Sequence, residues 1–271
     1  MRPRPAVPAV LVAMAVVAVL ALSAQSAPKE VPGGVPVRYA EGMVHGFLEL
    51  RTADGTLAAN GDLLQVPNKG GIESRMIFRF PDSSVFSETV SFTQHRVFAL
   101  RSYHLVQQGP AFTDDLDASL SADGHYLVKA RRHRDGHEEQ YDGTLTLPAD
   151  VSNGLVMTLL KNLRGPDTQT VHVVAFTPKP RLVSLALAPA RKRPVFNGRW
   201  EETAVEFVLK PRLGGVTGVA ARFLGKMPPD SHVWIVVHEV PAFMRFEGPL
   251  YDGPIWRIDL GRPRWPKAGG R

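Results

Sequence analysis

Residues 72–80 read Ile-Glu-Ser-Arg-Met-Ile-Phe-Arg-Phe. Ile72, Met76, Phe78 and Phe80 fall on one parity and alternate with Glu73, Arg75 and Arg79, the two-residue period of a strand with one buried and one wet face. Val171, Val173 and Ala175 likewise share one parity. Outward from residues 72–80, similar runs occur at Met43 to Arg51, Val85 to Thr93, Val97 to Val106, Gln140 to Leu147, Leu182 to Leu187, Thr203 to Leu209, His232 to Val237 and Ile255 to Leu260. The stretch His125 to Arg134 holds neither Gly nor Pro, which is long for a strand. Asp54-Gly55, Asn60-Gly61, Asp123-Gly124, Asp135-Gly136 and Asp142-Gly143 punctuate these runs. Asx-Gly pairs tolerate the positive φ angles of tight hairpin turns, so each of the five is read as a turn. The expected architecture is mainly β: a long-stranded, curved antiparallel sheet or half-barrel.

One segment has a helical period. Leu155, Val156, Leu159, Leu160 and Leu163 line one stripe of Ala149 to Leu163, with Asp150 and Ser152 as N-terminal caps. Gly154 inside this helix would cost about 1 kcal/mol relative to Ala, so packing of the stripe on the sheet must hold the helix.

The chain has 271 residues, 44% apolar and 21% charged, with four Trp and thirteen Phe. That bounds it to one large domain or two ordinary ones and excludes wholesale disorder and a polytopic membrane protein. The cysteine count is zero. No disulfide framework, thiolate zinc site, iron–sulfur cluster or cysteine nucleophile is therefore available.

At the start, Arg2 and Arg4 precede an uncharged apolar run from Ala6 to Leu22, then small residues and Pro28, the three regions of a secretory signal. Cleavage after Ser26 is expected, with a cut after Ala24 as the alternative, no stable transmembrane span afterwards and an exported, periplasmic or extracellular protein. Without Arg2 and Arg4, 30 basic residues face 26 acidic ones, and the net charge falls from +6 to +4. A linker at 27–35, one β-rich domain at 36–261 with a subdivision weighed near 178–194, and a basic tail at 262–271 would follow. The basic excess gathers at Arg131, Arg132 and Arg134, at Arg191, Lys192 and Arg193, and in the tail. For an exported protein the matching anions are lipid head groups or cell-wall polymers, against the plainer reading of solvated turn charges. No nucleic-acid motif accompanies the charge.

The turn-punctuated meander from Tyr39 to Pro148, the segment Leu147-Pro148-Ala149-Asp150-Val151-Ser152-Asn153-Gly154-Leu155 and the strands after it resemble the exported half-barrel proteins of the lipoprotein-carrier type. The resemblance is one of layout. It implies an apolar concave face for acyl chains and no cofactor.

Signatures of chemistry are sparse. There is no G-x-S-x-G elbow, H-E-x-x-H, Walker loop or strand-coupled G-x-G-x-x-G. His133 and His137 flank an Asp-Gly tip and are read as polar hairpin residues rather than as metal ligands. His232 and His238 share a parity and are read as rim histidines. The richest segment is Val240 to Trp256, with three prolines, aromatics and a Met. Phe243, Met244, Phe246, Tyr251 and Trp256 are the ligand-binding candidates, on a turn-rich loop beside an apolar cavity. A hairpin whose aromatics close the core is the competing reading. The function expected is non-enzymatic binding of a lipid or other apolar ligand between the sheet and the 149–163 helix. The alternatives are an envelope-associated structural protein with a filled core, and a hydrolase with a dispersed site.

Overall fold

The computed structural model describes residues 34–176, 179–197, 200–212, 229–251 and 253–261. The expected leader, most of the 27–35 linker and the basic tail lie outside these residues. Eight strands run β1 Val44–Thr52, β2 Leu57–Asn68, β3 Gly71–Arg79, β4 Val85–Gln94, β5 Phe98–Gln108, β6 Asp114–Ser121, β7 His125–Arg132 and β8 Glu138–Thr144. After the helix α1, Val156–Asn162, come β9 Gln169–Ala175, β10 Arg181–Asn197, β11 Trp200–Arg212, β12 Ser231–Val236, β13 Ala242–Gly248 and β14 Trp256–Leu260. All fourteen form one antiparallel sheet, ordered β8 through β1, then β14 back to β9.

The order puts β8 and β9, neighbours in sequence, at the two opposite edges. Strands sit about 4.8 Å apart, so β5 and β9, ten steps apart in this order, would be about 48 Å apart in a flat sheet. Yet Tyr103 of β5 stacks on Phe176, the residue after β9, with ring centroids 6.0 Å apart. The sheet is therefore strongly curled, and it is not closed by pairing of its edges. Phe78, Phe86, Phe92, Leu105, Leu187, Val233 and Ile235 are buried inside the curl.

The connection from β8 to β9 must cross this interior, and it seals the β9 edge on the way. Ser152 N–H donates to His172 C=O at 2.8 Å, and the Asn153 amide makes two bonds to the Val174 backbone, at 2.8 and 2.9 Å. Gly154 then turns with φ +70°, where a Cβ would meet Val90 at 2.9 Å. The helix begins only at Val156 and spans seven residues. It is thus shorter than the 149–163 expectation: Gly154 lies ahead of it, and residues 150–153 bind the sheet edge instead. The apolar stripe holds, with Leu155, Leu159 and Leu160 at 1–2% exposure.

Two of the five expected turns are not turns. Asn60-Gly61 lies inside β2 and Asp142-Gly143 inside β8. Gly61 is the cross-strand partner of Phe78, and Gly143 that of Tyr126. A Cβ on Gly61 would lie 2.4 Å from the Phe78 ring, and one on Gly143 2.7 Å from the Tyr126 hydroxyl. Both glycines make room for a neighbouring ring rather than for a positive φ. The other three pairs do turn, with φ of +91°, +90° and +68° at Gly55, Gly124 and Gly136. Residues 241–256 are also not one loop, because β13 occupies Ala242–Gly248 and pairs on both sides.

Leu159→Asp places a charge where Leu159 is 2% exposed in the main core. It is expected to cost at least about 3 kcal/mol. Chemical denaturation checks this, and an unchanged midpoint would mean that α1 does not pack as described.

Candidate functional site

The C-terminal end of α1 and β10–β12 leave a groove of about 840 Å³ between them. Its floor is apolar: Leu160, Leu163, Val205, Phe207 and Ile235 line it, and Leu160, Phe207 and Ile235 are buried. The alternation of β11 and β12 turns these side chains inward and Glu206 and Trp234 to the opposite face. A β-bulge in β10 between Pro189 and Lys192 shifts the register against β11. Pro189 brings no ladder donor there, and the bulge carries Pro189 to Lys192 to the rim.

The rim is basic. Arg38, Lys161, Arg164, Arg191 and Lys192 line the groove; no carboxylate among the described residues does, though Asp167 lies near enough to act on Arg38. Residues 38–41 are strapped over the helix end: the backbone N–H groups of Arg38 and Tyr39 both donate to Asn162 Oδ1 at 2.8 Å, and the Arg38 guanidinium donates to Asn162 C=O at 2.6 Å. Burial, then the like charge of Arg164, holds the Arg38 guanidinium below the usual arginine range. Lys161 pairs with Glu41, and Arg191 with Glu206 at 3.3 Å. Arg164 and Lys192 make no ion pair among the described residues. The groove therefore offers a hydrophobic trough with uncompensated positive charge at its mouth.

The sequence candidates are distributed differently. Between β12 and β13 the register shifts at Trp234/Ile235, which makes Met244 a bulge residue. Phe243 and Phe246 consequently both pack on the interior core, while Met244 joins Trp234, Val236, Val195 and Ala204 on the outer face. These three border neither the groove nor a smaller cavity of about 280 Å³, whose lining includes Tyr251 and Trp256. His133 Nε2 lies 2.8 Å from Asp115, and His137 Nε2 lies 3.3 Å from Glu139, so the two rings serve different carboxylates. His232 lies 2.9 Å from Glu206, and His238, beyond the end of β12, lies 2.9 Å from Glu202. Among the described residues no three His, Cys, Asp or Glu side chains gather to hold a metal.

Two carboxylates have displaced acidities of opposite sign. Burial raises Glu206, but the His232 hydrogen bond and the Arg193 and Arg191 guanidiniums outweigh it, and its pKa is lowered. Its contribution to stability is present above the ordinary carboxylate range and is lost as pH falls through its own lower value. Glu88 behaves oppositely. It points inward from β4 between Phe86 and Val90, and burial raises its pKa, partly offset by the Tyr103 hydroxyl donating at 2.8 Å. Its contribution is present below the ordinary range and is lost as pH rises through the raised value. Glu88→Gln keeps an oxygen for Tyr103 and removes that titration, so wild type should lose stability relative to the variant as pH rises from the carboxylate range to neutrality. Denaturant midpoints across that span test it, and parallel curves would contradict it. Compared with known protein families, curated proteins and solved structures, the chain finds no match.

Proposed function

We propose that this protein binds an anionic, acyl-bearing amphiphile, a lipid or fatty acid, in the groove between α1 and β10–β12, without catalysing a reaction on it. The observation that carries the reading is the pairing of an apolar trough with a basic rim in which Arg164 and Lys192 make no ion pair among the described residues. An apolar chain gains roughly 25 cal/mol per Å² removed from water, which favours residence on the Leu160, Phe207 and Ile235 floor. Lysine and arginine at the mouth give a carboxylate or phosphate head group charge-assisted hydrogen bonds. The groove's size falls within the about 300–1,000 Å³ common for small-molecule sites. A filled-core structural protein would not need such a trough. A hydrolase would need a nucleophile and base converging on it, and among the described residues no histidine lines it.

The N-terminal sequence supports a place outside the cytoplasm, where envelope lipids supply ligands of this class. The positive rim also suits transient contact with an anionic envelope surface.

Arg164→Glu with Lys192→Glu changes two rim residues and leaves the floor intact. A fluorescent acyl probe carrying a carboxylate should bind the double variant at least about tenfold more weakly, with an unchanged melting temperature. A neutral acyl probe should lose far less. Equal affinity of wild type and a folded variant for the anionic probe would reject this site.

A further inference from the structure

A second cavity, of about 280 Å³, lies where the curled sheet fails to close. One wall is the β5–β8 end of the sheet, with Gln107, Asp114 and Glu139. The other is Phe176, Tyr251 and Trp256, brought from the far half of the chain. It shares no lining residue with the basic groove, and its character is the reverse.

Two of its lining residues each carry a buried oxygen that lacks a donor. Gln107 is 6% exposed, and its amide nitrogen is committed to the Asp114 backbone carbonyl at 3.0 Å, which leaves Oε1 buried and without a hydrogen-bond partner. Asp114 Oδ1 is likewise buried and unpartnered. Leaving a buried acceptor unsatisfied is costly, more so for a charged group, so two such acceptors on residues lining one cavity are unusual. Arg132 stands directly across from Asp114 in the β6–β7 ladder, but its guanidinium is engaged by Asp135 at 3.0 Å and Glu139 at 3.6 Å. Asp115 and Glu139 have their own partners in His133 and in Arg132 and His137. Asp114 has no ion pair among the described residues.

Aromatic residues of the same cavity brace one another. Phe80 stands edge-on to both Phe112 and Trp256, with centroids 5.4 and 5.9 Å away, and both Phe112 and Trp256 line the cavity. Ring faces attract cations, and an aromatic enclosure also accepts an apolar body. The two orphan acceptors specify hydrogen-bond donors, and the free carboxylate specifies positive charge. We infer that this cavity is a binding site for a small primary ammonium compound with a flat or apolar body, its N–H groups shared between Asp114 Oδ1 and Gln107 Oε1. A neutral polyol would satisfy the oxygens but leave the Asp114 charge uncompensated. A quaternary ammonium would compensate the charge but bring no donors.

The test uses the whole mature protein and three probes of one shape: 2-phenylethylamine, its trimethylammonium analogue and 2-phenylethanol. Binding is followed by Trp fluorescence and calorimetry. The primary amine should bind saturably and at least about tenfold more tightly than either analogue. Asp114→Asn should reduce amine affinity by a similar factor and leave alcohol affinity unchanged, while binding of the anionic acyl probe is unaffected. Saturable amine binding that is indifferent to Asp114→Asn, equal affinity for all three probes, or no saturation at millimolar amine would overturn the inference and leave the oxygens to water. The probe comparison on unmodified protein stands even if the variant does not fold.

Discussion

The Asn153 side chain holds the Val174 backbone N–H and C=O, and much of the molecule depends on that pair of bonds. An open antiparallel sheet exposes unpaired backbone at its edges and must have its apolar face covered. Here one segment meets both needs. Residues 150–153 act as a surrogate strand along β9, with backbone bonds to His172 and side-chain bonds to Val174, and Asp150 also reaches His172 Nδ1 at 2.8 Å. Once the segment is fixed there, the left-handed turn at Gly154 aims α1 into the curl, and Leu155, Leu159 and Leu160 fill it. At the other edge, β8 relies on charge: Glu138 and Asp142 project outward and exposed. Exposed charges on an edge disfavour pairing with another chain.

The two cavities follow from the same topology. A meander that travels to one edge and resumes at the opposite edge needs a connection through its interior, and a seven-residue helix cannot fill all of it. At one end of α1 the unfilled space becomes the groove against β10–β12. Where β5–β8 approach Phe176, Tyr251 and Trp256, it becomes the smaller aromatic cavity. Their opposite electrostatics come from the segments each recruits: the Arg38 strap, the Arg164 connector and the Arg191–Lys192 bulge for the first, the Asp114 end of β6 for the second.

Much of the sheet was legible because period-two alternation is local. It failed where a local signal had a non-local cause. Asn60-Gly61 and Asp142-Gly143 look like turns, and only the register reveals Phe78 and Tyr126 lying over those glycines. The helix stripe does pack on the core, but the residues ahead of it bind the β9 edge, a partner about twenty residues away in sequence. For the groove, Arg191, Lys192 and Arg193 were visible as a cluster that suited lipid head groups. Arg38 and Arg164 were not, since nothing short of the fold brings them to the same mouth. The Phe243 to Phe246 segment drew attention by composition, yet a one-residue bulge sends Met244 to the outer face. No sequence pattern marks that bulge.

Methyl-resolved NMR during titration with a soluble anionic fatty acid tests most directly whether the apolar trough between α1 and the sheet receives an acyl chain. Saturable shifts are expected on Leu160, Leu163, Val205 and Ile235, with Val195 and Val236 of the outer face unmoved. Shifts confined to the outer face, or none at saturating ligand, would contradict an acyl site there.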